Sequence, residues 1–426
     1  MKQQRRQQYR FHTQSVIDML DVFFQSLSPF DIVMAKYFKN NKWIGSHERR
    51  EIAELSYSIF RNYEAIKFYT KNITGNFGRF FMLVFLKIVK KFSNEKISEI
   101  FSGRLRDPQK LTEFEKKFLT SIDEQASFPD YVILNYPEWM EPYLQRAFEG
   151  NINNLRDEMT AMNKKAFVDL RINTLKSTKD DVKKMLTESG FLVEDTKYAK
   201  NGIRILNGRI GRNHEVIVNG LAEIQDEGSQ LVAEVCNATS DDVVVDFCAG
   251  AGGKTLAIAS SMSNKGKIFA LDKFPERLEN AKIRLRRANV NNVFCQEITG
   301  KWMKRHRECA DIVLVDVPCS GTGTWRRNPD MRAKFSQQDL EELLAVQSEI
   351  LEMAKTLVKK GGRLIYATCS ILIEENEDQI AKFVEKSPEF AVKKIGFDGT
   401  DYMKLSPYKN GTDGFFAACL QNLKKC

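Results

Sequence analysis

The chain has 426 residues, 42% hydrophobic and 28% charged, which excludes a disordered polymer and leaves room for two or three domains with full cores. A net charge of +9 and a pI near 8.9 favour a polyanionic partner without requiring one. The longest apolar run, residues 80–86, is too short to cross a bilayer, so no membrane association is expected.

The opening residues, MKQQRRQQYR, hold four basic groups and no apolar core, which argues against a signal peptide. They read either as a basic arm touching phosphates or as a solvated tail. Residues 1 to about 140 look helical. Val16, Ile17, Leu20, Phe23, Phe24 and Leu27 recur at helical spacing until Pro29. Ser46 is placed to cap the next helix, with Ile52, Leu55 and Ile59 on one face. The aromatic stripe at 80–92 reads as core. No catalytic constellation occurs in this part, which reads as a helical bundle with a basic surface.

From about Phe128 the texture changes. Residues 166–171 form a candidate strand, Ser177 or Thr178 caps a helix running to Ser189, and Gly190 ends it. Residues 191–194 read as a second strand, giving a small βα unit. Its Arg171, Arg204, Arg209 and Arg212 are candidates for phosphate contact or for solvated surface charge. After Gly220, strands at 243–247, 268–271, 293–295, 312–316, 363–368 and 415–420 alternate with helices at 254–262, 275–289 and 339–360. Gly361-Gly362 reads as the stop of the last helix. The alternation predicts a doubly wound α/β sheet.

All eight cysteines lie between Cys236 and Cys426, none in a C-x-x-C pair, and the four histidines are scattered. This argues against a zinc site and a disulfide framework and fits reduced thiols in a cytosol. Residues 246–255, DFCAGAGGKT, form a Gly-rich turn between strand and helix, where the backbone can approach a ligand. It is not a Walker A loop, since Cys248 stands where that pattern needs glycine. Thr255 likewise replaces the third glycine of a dinucleotide fingerprint. Asp272 ends the next strand, where a carboxylate would take ribose hydroxyls. Together they point to a nucleoside cofactor without a triphosphate.

Two further stretches end predicted buried strands with a thiol. In 311–330, DIVLVDVPCSGTGTWRRNPD, the apolar run closes on Asp316 and is followed by Pro318-Cys319-Ser320. In 366–370 the sequence is YATCS, followed by Glu374-Glu-Asn-Glu377. If these strands are neighbours, both thiols meet over one site. Two thiols and a carboxylate facing a nucleoside cofactor suit methylation of carbon 5 of a pyrimidine. A thiolate adding to carbon 6 makes carbon 5 nucleophilic, and a carboxyl group holds the base. The pattern alone does not order the two thiols.

These paired motifs, with 246–255, resemble the Sun-domain RNA (cytosine-5) methyltransferases, and among them the RsmB-type ribosomal RNA enzymes. Residues 326–330 (RRNPD), 413–416 (DGFF), 167–176 (FVDLRINTLK) and 224–226 (IQD) extend the resemblance over nearly the whole chain, and 46–62 resembles a NusB-like domain. The resemblance implies an α/β fold. A class I, Rossmann-like S-adenosylmethionine-dependent methyltransferase domain would span 223–426. It would follow an all-α NusB-like RNA-binding domain over 1–140 and a small α/β RNA-binding or linker domain over 141–222.

By the same resemblance, Cys369 is the nucleophile, Cys319 assists product release, Asp316 contacts the cytosine and lies near the cofactor, and Lys254 is a further catalytic candidate. The loop Cys248, Ala249, Gly250, Ala251, Gly252, Gly253 and Lys254 would cradle the methionine end of S-adenosylmethionine. Asp272 would take the ribose, and Arg277 and Thr299 complete the expected cofactor set. Three positions depart from the family pattern: Gly250-Ala251 replace Ala-Pro, Val317 replaces Ala, and the acid expected after the third strand has only Glu297 and Thr299 nearby. The expected protein is a cytoplasmic, metal-free monomer acting on small-subunit ribosomal RNA. The alternatives are a transfer RNA methyltransferase and a non-catalytic RNA-binding assembly factor. A DNA enzyme is disfavoured, because those attack with the Pro-Cys thiol and lack the Thr-Cys-Ser partner.

Overall fold

A computed structural model describes residues 2–424, with side chains described from Phe11 onward; the side chains of the basic opening stretch lie outside the described residues. Two compact units emerge. One gathers the chain up to Pro142 together with Asn328–Phe335, and the other holds Tyr143–Arg327 and the chain from Ser336 onward.

The first unit is helical, with its principal helices at Lys2–Gln25, Phe30–Asn40, Ser46–Phe60, Tyr63–Thr70 and Phe77–Val84, the last continuing as a π-helical turn, Phe85–Val89. Val16, Leu20, Phe23, Phe30, Phe60 and Phe85 are fully buried and form its centre. The aromatic stripe is core, as its spacing predicts: Phe80 through Leu86 are all buried. Two details differ from the sequence reading. The first helix ends at Gln25, so Leu27 leaves the apolar face and is fully exposed. Gly45, not Ser46, is the N-cap of the third helix, and Ser46 is its first helical residue. The helix Phe30–Asn40 follows Pro29, whose apolar ring cannot cap it. Asp330, from the inserted segment, accepts the Phe30 N–H at 3.1 Å and satisfies that end.

The second unit contains two sheets. Strands β1 (Val168–Ile172), β2 (Val193–Asp195), β3 (Gly202–Ile205) and β4 (Ala222–Ile224) form an antiparallel sheet in the order β2-β3-β1-β4. The expected βα unit is therefore half of a four-stranded module, and its second strand begins two residues later than 191. Thr178 caps the intervening helix, Lys179–Glu188, in a capping box with Asp181, and Gly190 follows the helix with φ +83°. Arg171 and Arg204 do not face solvent. Alternation places them with Asp169 on the sheet face that packs on the helix Glu227–Val235. Arg204 donates to its cross-strand partner Asp169 at 2.7 Å and to Glu227 at 3.2 Å, and Arg171 donates to Gln225 at 2.7 Å. Neither is available for phosphate.

The large sheet has eight strands: β5 (Val243–Asp246), β6 (Lys267–Asp272), β7 (Val293–Glu297), β8 (Ala310–Asp316), β9 (Val358–Thr368), β10 (Phe390–Lys393), β11 (Met403–Leu405) and β12 (Phe415–Asn422). The order is β10-β12-β9-β8-β5-β6-β7, with β11 beside β12; β5 to β9 are parallel, and β10, β11 and β12 join antiparallel. Strand order reverses between β5 and β8, which places the ligand crevice of such a sheet at their carboxyl ends. One expected boundary is wrong. The helix begun at Gln337 ends at Ala354, a 3-10 turn follows, and β9 already starts at Val358. Gly361-Gly362 are thus inside β9, where the pairing with β8 slips between Ala310 and Ile312. A Cβ on Gly362 would stand 3.0 Å from the Ala310 and Asp311 carbonyl oxygens. The glycines admit a bulge rather than end a helix.

Candidate functional site

The site is built at the carboxyl ends of β5, β6, β8 and β9. Residues 312–315 are fully buried on β8, which fixes the strand in the sheet and leaves Asp316 at its rim with 29% of its side chain exposed. In the parallel β8–β9 pair Asp316 stands opposite Ala367, so the two cysteine loops leave neighbouring strands side by side. The half-buried Cys319 and Cys369 sulfurs lie 3.3 Å apart, and the Cys369 N–H is 3.3 Å from the Cys319 sulfur. The hydrogen bond with Cys369, burial, and the charge of Glu375 push the Cys319 thiol well above its ordinary range.

At the end of β5 the chain turns sharply. The Phe247 N–H donates to Leu314 O and the Ala249 N–H to Leu271 O, both at 2.8 Å, tying the Gly-rich loop to the strands on either side. Gly252 adopts φ +78° as the N-cap of the helix Gly253–Ser261, and a Cβ there would meet Ala281 at 3.1 Å. The buried Asp272 closes the loop by accepting the Gly250 N–H at 2.9 Å and the Phe274 N–H at 2.8 Å. Its oxygens retain acceptor capacity for a hydroxyl. Arg277 lies 3.9 Å from Asp272 on a largely exposed side chain.

Lys254 reaches across from the helix to Asp316, with Nζ 2.5 Å from the carboxylate. Burial opposes its charge, but the surrounding anionic groups, Asp316 foremost, raise its pKa overall. Beneath it, Asp246 accepts the Thr255 hydroxyl at 2.6 Å, and burial lifts its carboxyl to about 6. Burial also drives the Cys248 thiol upward, which removes it as a nucleophile. Asp246, Cys248, Ala249, Gly253, Lys254 and Asp316 wall a cleft of about 190 Å3, closed on its other side by Ile224, Gln225, Ser229 and Arg284. The cleft is lined by two carboxylates and two cations, Lys254 and Arg284, and the neighbouring strand β6 ends on Asp272, whose spare acceptor capacity fits a ribose hydroxyl.

Thr299 is not drawn into this cleft. It caps the helix Gly300–Arg305, accepting the Trp302 N–H at 3.2 Å. Ala251 contributes its carbonyl to Arg284 at 2.8 Å, and Arg284 is in turn held by Glu223 at 3.0 Å. Sequence reasoning missed Arg284 because its helix carries Arg284, Arg286 and Arg287 without a distinguishing pattern. Gln225 and Ser229 were also missed, although the stretch 224–226 was marked by the family resemblance. The remaining marked stretches meet nearby. Arg326 and Arg327 both bind Asp413 at 2.5 Å, and Arg327 also binds Asp226 at 2.7 Å. The Gly414 N–H donates to Gly323 O at 2.8 Å and the Gly323 N–H to Cys369 O at 3.0 Å.

Residues 233–421 match the family described as 16S rRNA methyltransferase RsmB/F, and residues 136–209 match the ferredoxin-like domain of RsmF/B-like methyltransferases. A probable ribosomal RNA small subunit methyltransferase B of Synechocystis is 31% identical over 77% of this chain and 74% of its own. The protein of the same description from Bacillus subtilis is 29% identical over 79% of this chain and 76% of its own. The crystal structure of PH0851 superposes with a TM-score of 0.78 at 26% identity, covering 96% of this chain and 98% of that one.

Proposed function

The chain belongs to the RsmB/F family of 16S rRNA methyltransferases, and we propose that it methylates carbon 5 of a cytosine in small-subunit ribosomal RNA through a covalent adduct at carbon 6. The observation that carries this reading is the pair of half-buried thiols 3.3 Å apart at the ends of adjacent strands, beside the Lys254–Asp316 pair.

Cys369, as thiolate, adds to carbon 6, and the electrons of the carbon 5–carbon 6 double bond make carbon 5 nucleophilic. Loop 248–254 and Asp272 would hold S-adenosylmethionine, which when bound would supply the electrophilic methyl group to carbon 5 and leave as S-adenosylhomocysteine. Asp316, paired with Lys254, orients the cytosine and stabilises the adduct. The carbon-5 proton is then taken by a base, its bonding electrons re-form the double bond, and the Cys369 sulfur leaves as thiolate with the assistance of Cys319. The target base must be unstacked to reach the thiols. Residues 1–140 and 141–222 are the proposed RNA-holding parts, and ribosomal RNA as substrate assigns the enzyme to the cytoplasm.

Incubating ribosomal RNA with S-adenosylmethionine and the Cys319→Ala variant tests the roles. A denaturation-resistant protein–RNA adduct is expected with Cys319→Ala and none with Cys369→Ala. The opposite pattern reverses the two roles, and a wild type giving neither adduct nor methyl transfer overturns the reading. Mapping 5-methylcytosine in ribosomal and transfer RNA identifies the substrate.

A further inference from the structure

Residues 374–377, EENE, follow the Cys369 loop and take no part in the mechanism above. The two central side chains are buried, and each serves a different cysteine loop. Glu375, 0% exposed, accepts the Ser320 N–H at 2.8 Å, the Ser320 hydroxyl at 2.5 Å and Gln347 Nε2 at 3.0 Å. Ser320 is the residue after Cys319. Asn376, 4% exposed, accepts the Thr368 hydroxyl at 2.6 Å and donates to Ser370 O at 3.0 Å. Thr368 and Ser370 flank Cys369 on both sides.

One peptide bond joins the two clamps. Their common backbone is itself fixed, since the Tyr366 hydroxyl donates to Glu375 O at 2.6 Å. A carboxylate with no exposed surface is costly where packing alone is needed. Directed hydrogen bonds to charged groups, by contrast, set both distance and angle. The two loops also touch directly, through the Thr322 and Ser370 hydroxyls at 3.0 Å, but those contacts only join the loops to each other. Glu375 and Asn376 gauge both loops against a single buried reference.

We propose that Glu375-Asn376 is a positioning clasp that sets the separation of the two thiols, with Glu375 governing Cys319 and Asn376 governing Cys369. The proposal rests on the assignment of attack to Cys369 and release to Cys319. Its consequence is that the two neighbouring residues control different half-reactions.

Single-turnover reactions with S-adenosylmethionine and a small-subunit ribosomal RNA transcript separate these steps, reading both adduct and methyl incorporation. Glu375→Gln keeps the shape but turns one acceptor towards Ser320 into a donor. The methylated adduct should then persist at least about tenfold longer than in the wild type. Asn376→Asp removes the donor to Ser370 O, and adduct formation should slow by about tenfold without accumulation. Ser320→Ala and Thr368→Val remove the partner hydroxyls, along with their bonds to Thr322 and Ser370, and should reproduce the two patterns, which keeps the test open if either clasp variant folds poorly. Equal slowing of both phases by the two clasp variants, or no change in either, overturns the clasp. Failure of Cys319→Ala to trap any adduct, with the clasp variants untouched, overturns the assignment of roles instead.

Discussion

At the residue scale, Cys248 and Cys319 both follow buried strands, yet their thiols are held up for different reasons. For Cys248 burial dominates, whereas for Cys319 the largest cause is the hydrogen bond with Cys369. The difference is testable. In Cys369→Ala the main influence on Cys319 disappears, and the remaining Cys369 backbone N–H still favours the thiolate. The pH midpoint for alkylation of Cys319 by iodoacetamide, followed by peptide mass spectrometry, should therefore move down in that variant. The midpoint for Cys248 should stay where it is. An unchanged Cys319 midpoint would show that burial, not its partner thiol, controls it.

Between elements, the loop after β8 is tied to the segment that leads into β12. Asp413 is 2% exposed and receives both Arg326 and Arg327, while Asp226 closes the cluster from the segment after β4. Beside it Gly323 and Gly414 touch backbone to backbone, and a Cβ on Gly323 would collide with the Gly414 carbonyl. Removing one partner from a buried ion-pair cluster leaves an uncompensated charge. Asp413→Ala should therefore cost about 3–5 kcal/mol in urea unfolding. Neutral replacement of the exposed Lys282–Glu279 pair, on a surface helix turn, should leave the unfolding midpoint essentially unchanged. Similar losses from the two would sink the view that the cluster stitches these elements together.

Across the whole molecule, the helical unit is completed by eight residues, Asn328–Phe335, that the chain supplies from between β8 and β9. Asp330 satisfies the Phe30 N–H, and the Lys334 ammonium sits 3.6 Å from the centre of the Phe23 ring. Asp330→Ala leaves a buried N–H without its acceptor, a loss of about 1–3 kcal/mol. Amide hydrogen exchange should speed up in the helix Phe30–Asn40 and stay unchanged in β5 and β8. Uniform acceleration across both units would contradict this local role.

The chain order of β5 to β9, the loop at 246–255 and the two strand-end cysteines were legible in the sequence. Parallel strands buried on both faces leave continuous apolar runs, and a polar group ending such a run is conspicuous. Spacing alone left the two thiols unordered, and the order proposed for them comes from the resemblance to the Sun-domain enzymes. What sequence could not decide were partners distant along the chain: Glu223 on Arg284, Asp169 on Arg204, and Asp330 at the start of a helix three hundred residues earlier. Each of these residues looks like a solvated charge until the fold buries it. The glycines inside β9 misled for a related reason, because a bulge and a helix stop ask the same freedom of the backbone. Local chemistry set where the reactive groups stand in the chain, and tertiary packing set which groups surround them.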